Sequence, residues 1–215
     1  MKKDLTSYNQ KRNFSKTKEP KGRKEVSKKK LRFVVQHHLA RKDHFDLRLE
    51  WDGVLKSWAV PKGPSYNKKD KRLAILVEDH PINYRNFEGT IPKGEYGGGT
   101  VMLFDEGYYE PYGDVAKGLK KGVIKFTLLG RRLKGSWSLV HFDEDNWLLI
   151  KEDDQINGFK DIKRIKTSIR TGRTMEEIKM GISKRNNDKN AIEGVEISNP
   201  DKIIYSKPKI RKSKL

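Results

Sequence analysis

The segment from His44 to Trp51 constrains the fold most strongly, because polar and apolar side chains alternate strictly along it. A period of two residues predicts a half-buried β-strand. Asp52-Gly53 follows directly and separates this strand from a second β-rich segment, Val54–Val60. An Asp-Gly pair between two such segments is a strong signal for a tight hairpin. The chain is therefore expected to build its core from antiparallel strands.

Further β-rich segments follow along the chain and are separated by glycine and proline. Many short strands with few helices indicate a β-barrel or a β-sandwich, and the barrel is favoured because closure removes exposed sheet edges. Short helices are predicted near 115–119 and 174–181, the second opening with a capping box at Thr174 and Glu177. The predicted fold class is mainly β, a compact β-barrel with a few short helices and flexible basic termini. The additional predicted strands are residues 31–35, 72–78, 100–104, 123–129, 136–142 and 147–151.

The charge balance points to a polyanionic partner. The chain has 48 Lys and Arg against 29 Asp and Glu, a formal net charge of +19. Nucleic acid is favoured over anionic lipid or no partner, because cations that displace condensed counterions from a backbone gain free energy. There is no cysteine, so a metal would have to be held by histidine, carboxylate or water. Neither a signal peptide nor an apolar run of ~20 residues is found, so the expected location is cytoplasmic with no membrane partner.

Composition shifts divide the chain into four expected segments. Residues 1–30 hold twelve Lys or Arg against three acids and are predicted to form a basic N-terminal arm, ordered only on a surface or ligand if at all. Residues 31–155 form the predicted barrel. A helical or linker extension is expected at 156–190, and a basic tail at 191–215.

The segment that could carry chemistry is His38-(x5)-His44-x-Asp46-x-Arg48. Residues two apart on a strand share a face, so His44, Asp46 and Arg48 are expected to project together while the intervening apolar residues pack behind them. Two imidazoles and a carboxylate suit Mn²⁺, Fe²⁺ or Zn²⁺, and a neighbouring guanidinium suits phosphate. The alternative is an ordinary solvated polar strand face.

Other candidates are weaker when taken alone. His80 precedes a proline, which disfavours helix and places it at a strand end or turn, where it could contact phosphate or protonate a leaving group. Lys62 and Arg72 are further cation candidates. Glu50 stands where the lysyl nucleophile of a Lys-x-Asp-Gly ligase motif would lie, so a lysyl adenylate is excluded at this segment.

Several stretches taken together resemble the phosphoesterase domain of bacterial DNA ligase D. The resemblance runs in order over about residues 31–151. It includes the His38 and His44–Glu50 segment described above. The other matching stretches are Leu55–Ser65, Glu78–Pro81, Phe87–Gly89, Ile91–Gly97 and Leu133–Trp137.

The resemblance implies a compact barrel with a crescent-shaped groove that carries the site. His38, His44 and Asp46 match the family's metal ligands, with Mn²⁺ the expected ion and Co²⁺ or Zn²⁺ as alternatives. Arg48 and His80 match its phosphate contacts. The residues that match supporting positions are Tyr84, Lys62, Arg72, Arg12 and Glu19, the last two on a segment that folds over the groove. Asn13 replaces the family's aspartate.

The function that the resemblance implies is metal-dependent trimming of 3' ends of DNA or RNA-tipped DNA at primer-template junctions. Ku-like, ligase and polymerase repair proteins would be partners, and the protein would be nucleoid-associated. A non-catalytic nucleic-acid-binding barrel and a repair adaptor are the alternatives. Ile197–Tyr205 is similar to the opening of the ligase D polymerase domain, which leaves a stand-alone enzyme and a fragment both open.

Overall fold

The computed structural model describes residues 5–25 and 30–183. Within these ranges one antiparallel sheet dominates, accompanied by three short α-helices and two 3₁₀ helices. The strands are β1 Arg32–Leu39, β2 Asp43–Trp51, β3 Val54–Val60, β4 Arg72–Pro81, β5 Gly89–Ile91, β6 Gly99–Pro111, β7 Val123–Gly130, β8 Lys134–Asp143 and β9 Asn146–Lys151. The helices are α1 Thr6–Gln10, α2 Val115–Lys121 and α3 Met175–Lys179, with 3₁₀ helices at Ile82–Asn86 and Ile162–Arg164.

The sheet closes on itself into an eight-stranded barrel. Its strands run in the order β1-β2-β3-β4-β9-β8-β7-β6, and β6 also pairs with β1. The short β5 pairs with the first residues of β6, outside the closed ring. The predicted barrel is confirmed, and so are the hairpin at Asp52-Gly53 and both predicted α-helices.

The hydrophobic core fills the barrel. Phe45, Leu47 and Leu49 of β2 all belong to it, together with the fully buried Trp58 and Trp137. β2 is nevertheless buried on both faces from Phe45 to Glu50, so the prediction of a half-buried strand was wrong for its outer face. That face is covered because other segments of the chain pack against the outside of the barrel there.

The covering layer has its own apolar cluster. Leu5 and Tyr8 from the N-terminal segment pack with Tyr84 of the first 3₁₀ helix, with Phe87 directly after that helix, and with Leu55 of β3. Tyr8 is fully buried. The described part of the N-terminal arm, residues 5–25, therefore lies on the barrel, as the resemblance implied.

The extension after the barrel also packs against it. Ile178 and Met175 of α3 contact Met102 of β6 in a third apolar cluster. The predicted capping box is present, with Thr174 and Glu177 bonding reciprocally. The tail predicted at 191–215 lies outside the described residues. No helix in the described ranges is long and apolar enough to cross a membrane.

Candidate active site

Three potential metal ligands meet on the outer face of β1 and β2. The register pairs His38 with His44, and Asp46 follows two residues along the same face. One ligand atom from each residue lies within 4.8 Å of the others. The Asp46 carboxylate is 3.8 Å from Nδ1 of His38 and 3.7 Å from Nε2 of His44. The predicted ligands are thus brought together, and the alternative of a solvated strand face does not describe these half-buried to buried side chains.

The chemistry of these donors fits a divalent cation. His44 donates its Nδ1–H to the Lys42 carbonyl at 2.8 Å, which leaves the lone pair on Nε2 directed toward Asp46. Nε2 of His38 is buried without a hydrogen-bond partner in the described structure. Burial lowers the pKa of His38, although Asp46 opposes that shift, so this imidazole is neutral and able to donate a lone pair. Two imidazoles and one carboxylate form a borderline ligand set.

Arg48 is fixed beside this cluster by a chain of buried hydrogen bonds. Its Nη2 donates to Asp46 at 2.9 Å and its Nε donates to Gln36 at 2.8 Å. Gln36 in turn donates to the backbone carbonyls of Tyr84 and Phe87. The remaining nitrogen of Arg48, Nη1, is buried and has no hydrogen-bond partner in the described residues. The Arg48 guanidinium is therefore held in place by Nε and Nη2, and Nη1 remains as a donor for a phosphate oxygen.

A β-bulge in β4 brings His80 to the same face. His80 pairs with Leu55 and Val77 pairs with Ser57, so three steps on β4 oppose two on β3. Without this extra residue the strict alternation of the strand would turn His80 toward the barrel interior. The bulge therefore turns His80 to the outer face. Glu78 also points outward and accepts from Arg12 of the covering layer.

His80 is held as a neutral imidazole. Its Nδ1–H donates to the Glu78 carbonyl at 2.9 Å, so Nε2 is the acceptor for Nη2 of Arg12 at 3.3 Å. Burial, followed by repulsion from Arg48 and Arg12, lowers the pKa of His80 well below its ordinary value. The edges of Tyr8 and Tyr84 flank the ring.

The N-terminal segment contributes two charged side chains to the site. The Arg12 side chain is only 4% exposed and donates to Glu19 at 2.9 Å and to Glu78 at 3.3 Å. Glu19 also accepts from the Tyr84 hydroxyl at 3.0 Å. Burial and the Glu19 charge raise the pKa of Tyr84 well above its ordinary value, so the phenol remains a donor.

The other candidates lie apart from this cluster. Lys62 is exposed in the turn that follows β3, and Arg72 at the start of β4 donates to Asp70 at 2.7 Å. Neither contacts the cluster in the part of the chain that the structure describes. The side-chain oxygen of Asn13 accepts from the backbone N–H and hydroxyl of Ser15 within its own turn.

Three participants were missed by sequence reasoning. Gln36 orients Arg48, Glu78 bonds the N-terminal segment, and Tyr8 lies under Arg12 with its ring centroid 3.7 Å from the guanidinium carbon. Gln36 was identifiable as a polar residue two positions from His38 on the same strand. The other two depend on pairings between distant segments, for which the sequence has no local signal.

The sequence of the barrel also matches a known family. Residues 36–141 match the family described as the DNA ligase D 3'-phosphoesterase domain. The barrel belongs to that family. The match includes the three candidate ligands, Arg48 and His80, and it begins at Gln36, after the N-terminal segment that supplies Arg12 and Glu19.

Curated relatives extend the match. The multifunctional non-homologous end joining protein LigD of Pseudomonas aeruginosa is 44% identical over 183 residues, which covers 80% of this chain and 22% of that protein. The corresponding DNA repair protein LigD of Mycobacterium tuberculosis is 45% identical over 147 residues, covering 67% of this chain and 19% of the relative. The chain thus spans about a fifth of the length of these relatives.

Proposed function

We propose that this chain is a metal-dependent phosphoesterase that processes DNA 3' ends, removing a 3'-phosphate to leave a 3'-hydroxyl for repair. The observation that carries the proposal is the convergence of His38, His44 and Asp46 beside a buried Arg48 with a free donor, within a barrel of the 3'-phosphoesterase family. The proposal extends to DNA ends that carry a terminal ribonucleotide at primer-template junctions. Ku-like, ligase and polymerase proteins would be its partners in a cytoplasmic, nucleoid-associated setting.

His38, His44 and Asp46 would hold the cation, with Mn²⁺ first and Co²⁺ or Zn²⁺ as alternatives; such an ion supplies Lewis acidity toward a phosphoryl oxygen. Arg48 would donate from Nη1 to an equatorial oxygen and so stabilise the charge that develops there. Because Asp46 and Gln36 already orient this guanidinium, it need not reorganise when the substrate binds. Its role is electrostatic and positional.

His80 would act as a polar contact. A neutral imidazole whose Nδ1–H is bonded to the Glu78 carbonyl can accept a proton or hydrogen bond at Nε2, but it has no proton there to give to a leaving oxygen. For the same reason Nε2 cannot donate to a phosphate oxygen, so His80 would act by accepting from Nη2 of Arg12 and holding that guanidinium toward the phosphate. Arg12, Glu19 and Tyr84 would close the groove over the terminal nucleotide.

The test is release of inorganic phosphate from a 3'-phosphorylated primer-template with Mn²⁺, run beside a primer that ends in a ribonucleotide. EDTA and His44→Ala are expected to abolish release. His141→Ala is the matched control, because it removes an exposed imidazole from β8, outside the cluster. It should retain wild-type turnover.

Phosphate release, measured beside duplex affinity in EDTA, separates the phosphoesterase from the two alternatives. A non-catalytic binding barrel would retain affinity for the duplex in EDTA and release no phosphate with Mn²⁺, Co²⁺ or Zn²⁺. A repair adaptor would likewise show no turnover on either substrate. Absence of release by folded wild-type protein with all three ions would contradict the phosphoesterase proposal.

A further inference from the structure

A second cluster of basic side chains lies outside the candidate active site. Arg32 opens β1, Arg85 lies on the first 3₁₀ helix, and Arg170 belongs to the extension that follows the barrel. Burial, and then repulsion from Arg32 and Arg170, lower the pKa of Arg85 below its ordinary value, while Glu106 and Glu50 oppose the shift. The contacts agree with this clustering. Arg170 bonds to Asn86, the residue after Arg85, and pairs with Glu106. Glu106 lies opposite Val34, two residues along β1 from Arg32. Three segments distant in sequence therefore bring like charges together.

This clustering is only partly compensated. Arg170 pairs with Glu106 and also donates to Asn86 at 3.0 Å. Arg85, in contrast, has a buried Nε without a hydrogen-bond partner in the described residues. The Arg32 guanidinium lies 5.9 Å from the ring of Tyr108 and forms no ion pair within the ranges the structure describes. Neither Arg32 nor Arg85 forms an ion pair in the described residues, so their terminal nitrogens, and not the buried Nε, are the donors offered to an anion.

The surroundings match a nucleic-acid backbone. Tyr108 is 36% exposed, and Lys30 lies 5.6 Å from the same ring, so an aromatic surface is interleaved with cations. Arginine offers a planar set of donors that can contact two phosphate oxygens at once. An anion here would also relieve the repulsion around Arg85.

The cluster is on the same strands as the active site. On β2, Arg48 and Glu50 share the outer face, and the backbone N–H of Arg32 donates to the Glu50 carboxylate at 3.3 Å. Arg32 precedes His38 by six residues on β1, a separation of roughly 20 Å at the usual rise of a strand. The next residue before Arg85 is Tyr84, which contacts Glu19 in the site. The same strand face therefore carries both places, and between them it is buried under the covering layer at Val34 and Gln36.

We propose that Arg32, Arg85 and Arg170 form a phosphate-binding surface that grips the nucleic-acid backbone upstream of the 3' end held in the active site. Roughly 20 Å corresponds to about six nucleotide steps along one strand of B-form duplex. The surface therefore selects for a nucleic acid that continues at least about six nucleotides behind the terminus, in preference to a free short oligonucleotide. This inference rests on the proposed function in one respect, namely that the 3' end of the nucleic acid is the end that lies in the groove.

The test measures binding without catalysis. Fluorescence anisotropy in EDTA would follow a labelled 3'-hydroxyl duplex of roughly 20 base pairs, two turns of B-DNA, and a labelled 3'-phosphorylated trinucleotide. Arg32→Gln/Arg85→Gln is expected to weaken duplex binding about tenfold and to reduce the slope of log affinity against log salt by about two. Trinucleotide binding should be unchanged.

The matched control removes two charges elsewhere. Lys120→Gln/Lys121→Gln neutralises two exposed lysines at the end of α2, outside both clusters. An equal loss of duplex affinity in both double variants, or an equal loss for duplex and trinucleotide, would overturn the proposal. If the arginine double variant does not fold, Arg32→Gln alone is measured, with a slope change of about one expected and none overturning it.

The outcome is independent of turnover. Selective loss of duplex binding would support the surface even if the wild-type protein released no phosphate. Phosphate release by the wild type, combined with unchanged duplex binding by the arginine variant, would reject the surface and leave the phosphoesterase proposal intact.

Discussion

At the scale of single residues, the position of Arg48 is the most specific feature of the candidate site. Its two occupied nitrogens are bonded to Asp46 and Gln36, which leaves Nη1 for substrate. Lysine has neither the planar fork nor the reach to replace all three donors. Arg48→Lys is expected to lower kcat for phosphate release by about 100-fold, the effect of removing one preorganised donor. Arg131→Lys, an exposed arginine after β7, should have little effect.

His80 gives a prediction about pH and stability. Its pKa is lowered in the folded protein, chiefly by burial and then by Arg48 and Arg12, so the folded state keeps the ring neutral. Below about pH 6.5 the unfolded chain binds a proton that the folded chain does not, so stability falls as pH falls. This effect lowers the free energy of unfolding by about 1.4 kcal/mol for each pH unit below 6.5. Above that value His80 causes no loss of stability.

Urea unfolding of the wild type and of His80→Gln between pH 7.5 and 5, a window spanning the unfolded histidine pKa of about 6.5, measures this contribution. The variant should lose less stability on acidification, because it has no imidazole to protonate in the unfolded state. Parallel stability curves for the two proteins would show that His80 is not held neutral by the fold.

At the scale of elements, the bulge in β4 decides which side chains reach the site. The bulge is anchored from the interior by Lys56 of β3, which is 5% exposed and donates to Asp79 at 2.6 Å. Removing one member of a buried ion pair leaves the other charge uncompensated, whereas replacing both by apolar groups is often neutral. Asp79→Leu alone is expected to reduce the free energy of unfolding by about 3–5 kcal/mol.

The double variant Lys56→Met/Asp79→Leu should recover most of that loss in chemical denaturation. Its turnover then reports on the bulge itself. A double variant that is stable yet slow in phosphate release would mean that the ion pair sets the position of His80. If the double variant instead loses as much stability as the two single variants together, the two charges do not interact.

The strands also show what local pattern can and cannot predict. His44 and Asp46 were placed together because a period of two is visible in the sequence, and pairing of β1 with β2 then brought in His38. β6 extends to Pro111, beyond the predicted 100–104. The prediction ended there because aspartate, which follows at position 105, is more typical of loops than of strands. Its buried carboxylate accepts from the backbone of residues 131–133, which a strand pattern does not reveal. The three-residue β5 is too short for any periodicity.

At the scale of the whole molecule, the fold class and the cluster of potential metal ligands could be predicted, but the layer over the barrel could not be derived from pattern alone. The sequence of residues 1–30 predicts a solvated basic arm, because its few apolar residues are scattered among lysines and form no periodic pattern. Leu5 and Tyr8 nevertheless pack in one cluster with Tyr84 and place the described residues 5–25 on the barrel. Long-range contacts of this kind are decided by tertiary packing, and only the family resemblance indicated them.

The covering segment supplies the last prediction. Deleting residues 1–25 removes Arg12 and Glu19, the partners of His80 and Tyr84, but no strand of the closed barrel. The truncated chain should therefore retain its far-ultraviolet circular dichroism and unfold cooperatively, while KM for a 3'-phosphorylated primer-template rises about tenfold, as about 1.4 kcal/mol of lost binding requires.

Arg12→Gln is the matched point variant, because it removes the charge and retains the apolar packing of Tyr8. A similar rise in KM for both proteins would assign the effect to Arg12. A rise confined to the truncation would assign it to exclusion of water by the covering layer, since burial strengthens every polar contact beneath it. An unchanged KM in both would mean that the layer protects the groove without contributing to substrate binding.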